Sequence, residues 1–134
     1  MRTKWLVTAS LLGALAGTWS IVAAAEQAPA VKRSVLQKHD LRPPGFEGVM
    51  ALVEIPVGGR EGRHSHPAEV FGYVLEGTLS FDIEGQPTAT LRAGDSLFIE
   101  AGKIHEGINR GDVPAKLVAV FATEKGKPLT TPAQ

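Results

Sequence analysis

The stretch His64–Glu84, "HSHPAEVFGYVLEGTLSFDIE", decides the fold. In its second half Leu79, Phe81 and Ile83 fall on one side of an extended chain and Ser80, Asp82 and Glu84 on the other, the alternation of a half-buried strand. Its first half carries "VFGYVLE", rich in β-branched and aromatic residues, and Gly77 divides the two. Similar runs lie on either side: "RSVLQKH", "FEGVMALVEI", "TATLR", "SLFIE" and "AKLVAVFA". Between them stand "PVGG", "IEGQP", "RAGD", "EAGK" and "NRGDVP", each able to turn the chain through Gly or Pro. No segment repeats with a convincing helical period. Short strands so closely spaced, with no helices between them, predict an all-β sandwich or closed barrel.

A chain of 134 residues with 43% hydrophobic content has material for one core. Its 14 basic residues equal its 14 acidic ones and are scattered, so no basic stripe marks a nucleic-acid partner. Cysteine is absent. That excludes disulfides and thiolate chemistry and leaves histidines and carboxylates as the strong metal ligands.

The first residues, "MRTKWLVTASLLGALAGTWSIVAAAEQ", place Arg2 and Lys4 before an apolar run ending in small residues, the pattern of a secretory signal cleaved after Ala25. A retained anchor is the alternative, since Trp5 to Ala25 is long enough to span a bilayer. Gly13, Gly17 and four hydroxyl residues dilute the run and favour cleavage. The expected organisation is a signal peptide over 1–25, a flexible lead-in over 26–38, a β-barrel domain over 39–125 and a tail over 126–134, in a periplasmic or secreted protein not held at the membrane after cleavage.

His64 and His66 stand one residue apart where the chain enters the strand pattern. On a strand, such residues share a face about 6.5–7 Å apart, so both imidazoles can aim at one point. His105, in "GDSLFIEAGKIHEGIN", opens another strand and can supply a third ligand. Alone, H-x-H describes a solvated edge pair as well as a chelate. His39, in "LQKHDLRPPG", has no such framing and reads as a surface residue.

The framing of these histidines resembles the cupins. That family's first motif runs Gly, five residues, H-x-H, a Glu, then Gly, and Gly58, His64, His66 and Gly77 fall in register with it. Its second motif matches Gly94, Gly102, His105 and Asn109. The resemblance covers about residues 45 to 123. It implies a double-stranded β-helix, or jelly-roll barrel, with a divalent metal held by histidines in its mouth, and often a homodimer paired through its sheets.

Two positions depart from the family pattern. The second-motif Pro is Glu100, expected as an exposed turn residue. At the first-motif Glu stands Val70, and the nearby acid, Glu69, sits one place early. In a regular strand this slip turns Glu69 to the opposite face. Pro67 permits a bulge that would restore its aim. On that ground the expected metal site is His64, His66, Glu69 and His105. Ligand type does not separate Fe, Mn, Ni and Zn.

Val70, Gly72 and Val74 share a face in this register; if it looks inward, Gly72 leaves room for a small-molecule ligand or substrate, unless it marks a bulge. Phe71, Tyr73 and Leu75 would then point outward, towards a second sheet or a partner subunit. The function implied is that of an exported, metal-dependent small-molecule cupin, resembling the quercetinase-like dioxygenases. The alternative is a non-catalytic binding or sensor module on the same barrel.

Overall fold

The alternation read from the sequence becomes two facing sheets in the computed structural model, which describes residues 28–134; the expected signal segment lies outside them. The strands are β1 (Lys32–Asp40), β2 (Phe46–Ile55), β3 (His64–Ser65), β4 (Ala68–Glu76), β5 (Thr78–Ile83), β6 (Ala89–Arg92), β7 (Ser96–Ile99), β8 (His105–Ile108), β9 (Ala115–Glu124) and β10 (Thr131–Pro132). No helix occurs among the described residues. One antiparallel sheet has the order β1-β2-β9-β4-β7 and the other β10-β3-β8-β5-β6. The result is all-β, as the strand spacing predicted, and is the jelly-roll double-stranded β-helix that the resemblance implied.

The inner face of the first sheet follows from strict alternation. Val49, Ala51, Val53 and Ile55 of β2, Ala68, Val70, Gly72 and Val74 of β4, and Ala115, Leu117, Ala119 and Phe121 of β9 are buried. Because paired residues in a ladder project to the same side, these positions form rows across the sheet. Val49, Phe121, Val70 and Ile99 make one row, and Val53, Leu117 and Val74 another. Between them lies a row of small residues, Ala51, Ala119 and Gly72, ending at Leu97. Bulky rows on both sides of a small one leave a hollow. It forms part of the lining of a cavity of about 120 Å³ between the sheets.

Gly72 makes its room for a specific neighbour. A Cβ there would lie 2.8 Å from Leu97 Cγ, so the missing side chain is replaced by Leu97 rather than by open space. Gly77 is required for two reasons as the chain passes from β4 to β5. Its φ is 75°, and a Cβ would lie 2.6 Å from the Pro114 carbonyl oxygen.

At both ends of the described residues the expected domain bounds shift. Residues 32–38, assigned to a flexible lead-in, belong to β1, an edge strand whose ladder with β2 runs from Lys32–Glu54 to Asp40–Glu47. A register shift between Val35 and Gln37 breaks its alternation, which is why the sequence pattern is weak there. His39 lies on this strand and is exposed. The segment 126–134, expected as a tail, returns to the barrel: Thr131 pairs with Ser65, Pro132 with His64, and Leu129 packs on the core. A two-residue strand is too short to carry a period.

Candidate metal centre

The ladder of the second sheet builds the site. β3 and β8 meet at a single pair, His64 opposite His105, so both side chains project to the same side. His66 follows two residues after His64 and aims the same way. All three are buried, with at most 7% exposure, and ring nitrogens from each lie within 4.8 Å of one another. The ring centroids are 4.3 to 4.9 Å apart. Phe121 packs edge-on against His66, and Phe81 lies beside His105.

The backbone sets the orientation of each ring. His64 Nδ1 lies 2.7 Å from the Gly62 carbonyl, His66 Nδ1 2.6 Å from that of Leu129, and His105 Nδ1 2.9 Å from that of Lys103. A carbonyl can only accept, so each Nδ1 carries the proton and donates it, leaving Nε2 with its lone pair. Burial pushes the pKa of both His66 and His105 down to about 4, so both rings are neutral near pH 7. Three oriented imidazoles form a donor set that could hold a first-row transition metal, and one unsuited to Ca²⁺ or Mg²⁺, which take oxygen.

Glu69 is not among them. The β4 ladder with β9 runs without interruption from Ala68–Thr123 to Val74–Leu117, so no bulge follows Pro67, and Glu69 is exposed on the outer face. Val70 takes the inward position, 2% exposed, and lines the cavity beside the histidines. The expected fourth ligand is therefore corrected: regular pleating, not a bulge, governs this strand. Glu100 is an exposed turn residue, whose carbonyl accepts from the Lys103 N–H. Asn109 is fully buried and structural, with its amide donating to the Ile55 and Val113 carbonyls.

Two other acids, absent from the expected set, shape the surroundings. Glu106 grips Arg60 through two contacts, Nε–Oε1 at 2.8 Å and Nη2–Oε2 at 2.7 Å, and accepts the Gly62 N–H at 3.1 Å. The bond from Arg60 holds the Glu106 carboxyl below the usual carboxylate range. It thus fixes Gly62, whose carbonyl orients His64. Glu61 lines the cavity, with its Oε2 accepting the Gly107 N–H at 3.1 Å. The contact between residues 60–62 and β8 spans more than 40 positions of sequence, and only the adjacency of Glu106 to His105 hints at it.

The cavity joins the histidines to an apolar lining that includes Ala51, Val70, Phe81, Ile99, Ala119 and Phe121. A site of metal-competent donors opening on an apolar hollow suits a small organic ligand.

The family described as Cupin domain matches residues 51–121. The polyketide synthase CurC of Streptomyces cyaneus is 38% identical over 82 residues, 60% of this chain and 53% of its own length. The chain thus spans about half the length of that relative. Among solved structures, a double-stranded β-helix protein from Klebsiella pneumoniae superposes with a TM-score of 0.65 at 22% identity, covering 78% of this chain and 84% of the other. An oxalate oxidase superposes with a TM-score of 0.53 at 32% identity, covering 55% of this chain and 41% of that enzyme. The match begins within β2, takes in all three histidines and ends within β9, and the sheets it covers close into the double-stranded β-helix: the chain belongs to the cupin family.

Proposed function

We propose that this protein is an exported metalloprotein that binds a small organic molecule in the barrel and acts on it through a metal held by His64, His66 and His105, in a dioxygenase-like reaction. The observation that carries this reading is the conjunction of three Nε2 donors with an apolar cavity on the same inner face. An Fe, Mn, Ni or Zn ion held there would supply Lewis-acid chemistry and, for the redox-active metals, oxygen chemistry. The chain's own contribution is orientation and exclusion. The carbonyls of Gly62, Leu129 and Lys103 fix the rings, while Val70, Phe81 and Phe121 keep apolar surface around the donors. The similarity to an oxalate oxidase supports metal-centred oxidation. Export rests on the N-terminal pattern "MRTKWLV…VAAA".

Metal analysis of the purified protein, followed by oxygen uptake with enediols, flavonols and thiols, tests this function. Oxygen consumption that depends on one substrate class and on metal is the expected result. Ligand binding with no turnover for any of them would replace it with the non-catalytic binding or sensor module, a reading favoured by Val70 at the place of a carboxylate ligand.

A homodimer is part of the proposal. Phe71, Tyr73, Leu75 and Phe98 are 45 to 59% exposed on the outer face of β4 and β7, with the Phe71 and Phe98 rings 5.0 Å apart. Contiguous apolar surface of this kind marks an association site. Sedimentation should give a dimer that Phe71→Glu converts to monomer; a wild-type monomer would remove this part of the proposal.

A further inference from the structure

We propose that Arg33 selects the ligand of the cavity, and that the ligand is a compact organic acid with an apolar body of about the size of a benzene ring. The proposal rests on the metal reading above for the position of the ligand's far end, and on Arg33 for its charge.

Arg33 lies opposite Val53 in the β1–β2 ladder, and Val53 faces inward, so Arg33 does too. It is the one Lys or Arg among the described residues that line the cavity. The guanidinium is steadied from the other sheet: Arg33 Nη2 lies 3.3 Å from Glu61 Oε1, while Glu61 Oε2 accepts the Gly107 N–H of β8. That seat exists because residue 107 is glycine, since a Cβ there would stand 2.6 Å from Glu61 Oε2. The Glu61 side chain is 9% exposed and that of Arg33 is 44% exposed, so Glu61 is the fixed partner and Arg33 the accessible one.

A guanidinium has five N–H donors in a planar fork that matches a carboxylate. Glu61 engages one nitrogen of it among the described residues, and the rest of the fork remains to be met.

Charge balance points the same way. Glu61 offsets Arg33, and the triad has no carboxylate, because Glu69 faces outward and Val70 inward. A dication at the triad would then leave the cavity with two uncompensated positive charges among apolar walls, an arrangement that favours an anionic guest. The hollow limits the guest's size. Its volume of about 120 Å³ is close to the ~150 Å³ of an apolar cavity that holds benzene.

The test is calorimetric titration of benzoate and of its neutral isostere benzamide into zinc-loaded and metal-free protein, with zinc content measured separately. Zinc is redox-inert, so binding is read without turnover. Wild type should bind benzoate about tenfold or more tightly than benzamide, the scale of one charged hydrogen-bonded contact. Arg33→Gln should remove that preference, leave benzamide within about twofold and leave zinc content unchanged; Arg33→Lys should keep part of the preference. If the protein takes up no zinc, the metal reading fails, and the Arg33→Gln difference in metal-free protein still decides the role of Arg33. Equal weakening of both ligands in Arg33→Gln, an unchanged preference in that variant, or no benzoate binding to wild type at millimolar concentration would overturn the proposal.

Discussion

At position 70 a single side chain separates this site from the pattern its motifs resemble. The three histidines were legible because a glycine-bounded H-x-H and a second spaced His carry their own geometry. The fourth position was not, because two readings of "HPAEV" differ only in whether Pro67 bends the strand. The chain instead places Pro67 between β3 and β4, where its missing N–H interrupts no ladder, and regular pleating starts at Ala68. Glu69→Gln should therefore leave metal affinity unchanged. Val70→Glu should place a carboxylate beside the triad and tighten zinc binding by about tenfold or more, while costing the metal-free protein several kcal/mol for an unpaired buried charge. Zinc titration and urea unfolding of both variants check this; weaker binding in Glu69→Gln would show that the carboxylate reaches the metal after all.

Among the elements, the long strands were legible and the short ones that hold the site were not. β2, β4, β5 and β9 alternate over six residues or more, enough to read a face. β3 and β10 have two residues each, and their identity as strands depends on partners far along the chain. Yet β10 closes the edge of the second sheet, and the Leu129 carbonyl just before it orients His66. A chain truncated after Lys127 loses that acceptor. Its metal affinity should fall by about 10- to 100-fold, as for loss of other groups that orient a ligand, while the circular dichroism of the longer strands persists. Full affinity in the truncated chain would show that His66 needs no such support.

For the whole molecule, the length and apolar composition indicated one core, whereas the burial of three histidines inside it is a property of the assembled barrel. That burial links the site to stability. His66 and His105 are pushed to about 4 in the fold, so as pH falls below about 6.5 the unfolded chain takes up protons first. The metal-free protein should thus lose stability progressively between about pH 6.5 and 4. Glu106, held below its ordinary range by Arg60, acts in the same direction at lower pH: its contribution is present above the unfolded carboxylate pKa and is lost as pH falls through the folded value. Urea midpoints of metal-free protein should be lower at pH 4.5 than at pH 7.5, with a smaller drop in His66→Gln; equal drops in the variant and wild type would assign the acid sensitivity elsewhere.

The most direct measurement is the metal content of wild type beside His64→Ala, His66→Ala, His105→Ala and His39→Ala, each purified in the same way and read by mass spectrometry of the metal. One ion per chain is expected in wild type and in His39→Ala, whose histidine is exposed on β1, and a large loss in each of the other three, with β-sheet circular dichroism retained. Equal metal content in all five proteins would contradict a shared site at His64, His66 and His105.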